Sequence, residues 1–131
     1  MIDTDSQAPP RRLLYRVCQI QDWRAAVSAG VFTGSDTDRA DGFIHLSAAD
    51  QVERTLTTHY SGVPSLILLT LDGARLDGEV RWEAARGGAP FPHLYGTIPM
   101  LAVLAALPLP DDRENRMMLP PLSDRLGDLA P

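Results

Sequence analysis

The chain alternates short apolar runs with polar, turn-forming stretches, and the period of each run predicts its element. "RLLYRVCQ" is apolar and β-compatible and reads as a strand. "QDWRAAVSAG" then places Trp23, Ala26, Val27 and Gly30 at helical spacing, with Gly30 as the stop signal. "TGSDTDRAD" is crowded with turn formers and reads as a connector before the short β-like "GFIHLS". In "SAADQVERTLTTHYSG", Ala49, Val52, Leu56 and Tyr60 share one helical face, with Ser47 as N-cap and Gly62 as terminator. "SLILLTL" is a nearly continuous apolar run of strand length, as expected of a central strand buried on both faces. "EVRWEA" alternates and predicts another strand, whereas Gly87, Gly88, Pro90 and Pro92 predict an irregular loop after it. "IPMLAVLAALPLP" reads as a helical turn and a final strand. With helices early and strands clustered late, the order favours an α+β fold over a doubly wound parallel sheet.

Composition adds bounds. The 131 residues fit one domain with a real core. Residues 1–10 and 109–131 are polar or proline-rich and read as tails around a domain at 11–108; Met117, Met118 and Leu119 could dock a short helix. A net charge of −5 argues against general electrostatic binding of nucleic acid or an anionic membrane. The single Cys18 cannot form an internal disulfide, and its place in a strand-like run predicts a buried, structural thiol. No apolar run reaches the roughly 18 to 20 residues of a membrane-spanning helix, and the polar start does not read as a secretion signal, so a cytoplasmic protein is expected.

Candidate chemistry concentrates in "DGFIHLS" and "RWEAARGGAPFPHLYG". Alternation puts Phe43, His45 and Ser47 on one strand face, so the histidine stands beside an aromatic ring and a hydroxyl. Glu83 lies where a strand meets a loop, a place suited to accepting a hydrogen bond from a ligand or stabilising positive charge; a salt bridge to Arg81 or Arg86 is its bland alternative. Gly87 and Gly88 allow close backbone approach, and Pro90 and Pro92 stiffen the segment that presents Phe91, His93 and Tyr95. His45, Glu83, His93 and Tyr95 are therefore expected to line one cleft. His45, His59 and His93 lack metal-ligand spacing, so no metal is expected, and His59 is expected to be a packed core histidine on the apolar face of its helix.

"DGFIHLS" at 41–47 and "RWEAARGGAPFPHLYG" at 81–96, with the lead-in "W...A...G.F.GS..D", resemble the bacterial domain-of-unknown-function family 952 over about residues 13–108. The resemblance implies an ADP-ribosyltransferase-like fold, with two small mixed sheets around a cleft and two flanking helices, and NAD as ligand. Such enzymes combine a first-strand histidine or arginine, a second-strand tyrosine or serine, and a later acid or glutamine. The corresponding residues here are Arg16 or Tyr15, the strand of His45 and Ser47, and Glu83. The first strand lacks the "HGT" pattern and the chain has no Glu-x-Glu, so transfer onto protein is not implied. Catalytic roles are then expected for His45, Glu83 and His93, and ligand contacts for Arg16, Phe43, Ser47, Arg86, Gly87, Gly88, Phe91 and Tyr95. Three readings stay open: NAD-dependent ADP-ribosyl transfer or NAD glycohydrolysis, a pocket adapted to a non-nucleotide small molecule in a biosynthetic pathway, and a non-catalytic accessory protein acting through a partner.

Overall fold

The computed structural model describes residues 12–84 and 88–128. Arg86 and Gly87 lie outside the described residues. The elements run β1 (Leu13–Gln19), α1 (Ile20–Ala29), β2 (Val31–Phe32), α2 (Asp36–Asp41), β3 (Ile44–His45), α3 (Val52–His59), β4 (Leu66–Asp72), β5 (Asp77–Ala84), β6 (Pro90–Pro99), β7 (Val103–Pro108) and α4 (Arg113–Arg116). One sheet has the order β1-β4-β7; in the other, β6 carries β5 on one edge and the two-residue strands β2 and β3 on the other. The fold is α+β. Every strand pair among the described residues is antiparallel, which corrects the expected mixed sheets. None of the pairings needs a parallel crossover.

In the first sheet β1 and β4 are covered on both faces, whereas β7 is a largely exposed edge, and this explains the nearly continuous apolar run of β4. Leu14, Cys18, Leu69 and Leu71 face Ile44, Leu94 and Ile98 of the second sheet and Ala26 of α1. Leu13, Tyr15, Val17 and Leu68 meet Val52 and Leu56 of α3 on the other side. The period of two puts Arg16 between Leu14 and Cys18, on the face directed at the second sheet. Cys18 is buried as expected, and burial pushes its thiol pKa up to about 12, which disfavours the reactive thiolate.

Several segments depart from the sequence expectations. The glycine- and proline-rich stretch enters a ten-residue strand, β6. Proline is tolerated there because the carbonyls of Pro90 and Pro92 face away from β5, towards the Gln51 side chain and the Leu46 amide, and the missing N–H groups lie on that same sparsely paired edge. The connector "TGSDTDRAD" contains α2, which a reciprocal capping box starts and left-handed Gly42 (φ 87°) ends. Ser47 is not a helix cap, because its Oγ hydrogen-bonds Thr55 Oγ1 at 2.7 Å. A 3-10 turn at Ala49–Gln51 leads into α3, which stops at His59, one residue before Tyr60.

The segment after β7 lies against the core. Leu109 is buried, while Met117, Leu119 and Leu122 pack on the Tyr15 side of the first sheet. Tyr15 donates its hydroxyl hydrogen to the Ser123 carbonyl at 2.9 Å and accepts from the Ser123 amide at 3.1 Å. The Leu13 amide donates to the Asp124 carbonyl at 2.9 Å. Proline-rich composition suggested a loose tail, but its few apolar side chains are spaced to cover a face that α3 leaves open.

Candidate functional site

The site begins with α2. Ser35 Oγ accepts from the Asp38 amide at 3.2 Å, and Asp38 Oδ2 accepts from the Ser35 amide at 2.7 Å, so the cap turns the Asp38 side chain inward. Gly34 permits this closure. A Cβ built there would lie 2.8 Å from Asp38 Cβ, and its φ of +109° is one that side-chain-bearing residues rarely adopt. Asp38 meets Arg16 through two contacts, NH1 to Oδ1 at 2.9 Å and NH2 to Oδ2 at 2.8 Å. Arg16 also donates to the His45 carbonyl at 2.9 Å, and its guanidinium lies 5.2 Å from the centre of the Phe32 ring. Burial alone would raise the Asp38 pKa. Hydrogen bonds from His45 and Arg16, together with the Arg16 charge, outweigh that effect and hold it well below the usual carboxylate range.

His45 is clamped from both sides. Its Nδ1 lies 2.6 Å from Asp38 Oδ1, and its Nε2 lies 3.0 Å from Asp41 Oδ2. Across the sheet, β3 and β6 pair His45 with His93, while β5 and β6 pair Arg81 with His93 and Glu83 with Phe91. Directly paired residues share a face, as do residues two apart, so Phe43, His45, Glu83, Phe91, His93 and Tyr95 stand on one side of this sheet. The Phe43 ring stacks on His93 with centroids 4.1 Å apart and lies 5.3 Å from the Tyr95 ring. His93 Nδ1 is 2.8 Å from Glu83 Oε1, and the Tyr95 hydroxyl donates to that same oxygen at 2.8 Å. These hydrogen bonds, that of His93 foremost, lower the Glu83 pKa, and the carboxylate in turn raises that of Tyr95.

A cavity of about 700 Å³ opens beside these residues. Arg16, Asp38, His45, Ser47, Phe91 and His93 reach its wall, so β1 of the first sheet and β3 and β6 of the second meet there. Of the four residues expected in one cleft, His45 and His93 line it. Glu83 and Tyr95 stand behind His93, on the same sheet face but outside the lining. Phe43 supports the His93 ring, and Gly88 is exposed in the bend before β6. His59 is exposed at the end of α3, on the cavity rim, which corrects the packed-core expectation: the helix stops at that residue, and no further turn covers it. Asp38, Asp41 and Thr55 were not anticipated. The Ser35-x-x-Asp38 capping signal would have pointed to the first of them.

These features define a small α+β domain in which two antiparallel sheets meet at a polar cavity. The model of the family described as "Protein of unknown function (DUF952)" matches residues 17–106, and the chain belongs to that family. The crystal structure of protein CC0527 from Caulobacter crescentus is similar at a TM-score of 0.72 with 40% identity, covering 79% of this chain and 90% of that one. The solution NMR structure of the same protein gives a TM-score of 0.65 at 39% identity, with the same coverage of 79% and 90%. No curated protein matches the chain. Among the described residues, no helix is long and apolar enough to cross a membrane.

Proposed function

We propose that the chain binds a small molecule in the cavity between its sheets, in an ADP-ribosyltransferase-like arrangement, and that the ligand is NAD or a related nicotinamide nucleoside cleaved between nicotinamide and ribose. One observation carries the reading: β1, β3 and β6 bring Arg16, His45 and His93 to one cavity of about 700 Å³, joined by Ser47 just after β3, and that volume is within the range of ligand sites. The lining suits the nicotinamide-ribose half. Phe91 and His93 offer ring surfaces, Ser47 and Thr55 offer hydroxyls to the sugar, and Asp41 adds negative potential where the sugar becomes cationic. In hydrolysis, water forms the new bond to the anomeric carbon, the N-glycosidic electron pair leaves on nicotinamide, and a base in the wall takes the water proton.

A second reading, a non-nucleotide ligand that is neutral or cationic, is favoured by the charges. Asp22, Asp36, Asp38 and Asp41 line the cavity against Arg16, whose charge Asp38 already engages. A pyrophosphate gains little from such a wall. Thermal shift with NAD, nicotinamide riboside, ADP-ribose, sugars and amines separates the readings, because a ligand at about 100 times its Kd stabilises the folded state by about 2.7 kcal/mol. The proposal expects a rise in Tm with a nicotinamide-bearing ligand and free nicotinamide by chromatography. A rise with amines or sugars only would overturn it in favour of the second reading.

A further inference from the structure

Of the three histidines at the cavity, His59 is exposed at the rim, while His45 and His93, paired across β3 and β6, differ in their hydrogen-bonding freedom. His45 has a carboxylate on each ring nitrogen, Asp38 on Nδ1 and Asp41 on Nε2, so neither nitrogen is left for a ligand or a water. His93 has Glu83 on Nδ1, and among the described residues no hydrogen bond or ion pair engages its Nε2. The carboxylate can only accept, so Nδ1 carries the proton and, in the neutral ring, Nε2 carries the lone pair. Glu83 lies outside the cavity lining and His93 lies within it. Phe43, stacked at 4.1 Å and 21°, fixes the ring plane. The Tyr95 hydroxyl holds the same Glu83 oxygen from a second direction, and the Arg81 guanidinium lies 4.3 Å from the Tyr95 ring centre.

We infer that Glu83 is a positioning residue: by accepting from Nδ1 it holds His93 in the tautomer whose Nε2 is the proton acceptor facing the cavity, while His45 serves as a fixed brace between Asp38 and Asp41. The inference rests on the proposed use of this cavity. It changes the role expected for Glu83, from direct stabilisation of a sugar cation to action through His93. In the hydrolysis above, the water proton goes to His93 Nε2, and Glu83 balances the charge the ring acquires.

The test is ring-nitrogen NMR on the full-length chain at a pH well above about 6.5, where a free imidazole is neutral. Wild type should give His93 with a protonated Nδ1 and a bare Nε2. Glu83→Ala should move the proton to Nε2, the form an unconstrained histidine side chain prefers in water, and Glu83→Gln should restore the wild-type pattern because its amide oxygen can still accept. Tyr95→Phe, which removes only the second donor, should leave the pattern unchanged and serves as the control if Glu83→Ala fails to fold. Nicotinamide release, measured in parallel, should lose about 10²-fold in kcat in Glu83→Ala, with KM changed less than about threefold. A protonated Nε2 in wild type, or a tautomer indifferent to Glu83, would overturn the inference and leave the proposed ligand standing. The expected tautomers without nicotinamide release from wild type would support the positioning role and overturn the NAD reading.

Discussion

Asp38 is the residue on which the two sheets depend most at the site. It is almost fully buried, it neutralises an equally buried Arg16, and both oxygens are engaged. Removing one partner of a buried ion pair costs about 3 to 5 kcal/mol, because the remaining charge stays in a poorly solvating place. Asp38→Asn should therefore lower the free energy of urea unfolding by about that amount at neutral pH. The pH dependence has a definite sign. The folded-state pKa of Asp38 is lowered from an ordinary value of 3.8, so its stabilisation is complete above that pH and is lost as pH falls through the folded value. The gap between wild type and Asp38→Asn should accordingly narrow below about pH 4, and a gap independent of pH there would show that the interaction is not ionic.

At the scale of elements, α2 holds the site in place although it has only six residues. Such a short helix cannot sustain itself by propagation, so its cap matters more than its length. Ser35→Ala removes the hydroxyl that accepts from the Asp38 amide and should cost about 0.5 to 2 kcal/mol in unfolding free energy. It should also weaken ligand-induced stabilisation in the cavity, since Asp38 would no longer be held towards Arg16 and His45; unchanged ligand response would separate the cap from the site. This helix shows why some elements were legible in the sequence and others were not. β4 announced itself through an apolar run, β5 through alternation, and α1 through spacing closed by Gly30. α2 has no apolar period to read, because its buried side chain is a carboxylate. β6 was hidden by the prolines, whose effect depends on which edge of the strand has a neighbour, and that is a tertiary fact. The site was half legible for the same reason. Strand alternation around His45 and a stiffened loop carrying His93 and Tyr95 led to the expectation that these residues and Glu83 line one cleft, but neither pattern could say which of them reach a cavity and which stand behind another side chain.

For the whole molecule, the first sheet has two apolar faces and needs a cover on each. The second sheet and α1 cover one face. α3 covers part of the other, and the chain after β7 extends that cover over β1 and β4 through Leu109, Met117, Leu119 and Leu122. Reading residues 112–131 as a tail implies that their removal leaves the Tm nearly unchanged; the packing implies the reverse. Truncation before residue 112 strips Met117, Leu119 and Leu122 from that face, removes the buried Arg116, and leaves the Tyr15 hydroxyl without Ser123. Partial burial of those apolar side chains contributes about 1 kcal/mol each, and the lost hydrogen bond a similar amount. The truncated chain should therefore melt at least about 5 °C lower, since about 1 kcal/mol corresponds to a few degrees in a domain of this size. Differential scanning calorimetry on the two chains measures the difference directly. A point variant isolates the anchor: Tyr15→Phe in the full chain should reproduce only the hydrogen-bond share, about 1 kcal/mol or less, because the ring still packs in the core. If truncation leaves the Tm unchanged while Tyr15→Phe also has no effect, the C-terminal segment does not cover the sheet in solution, and the core must close without it.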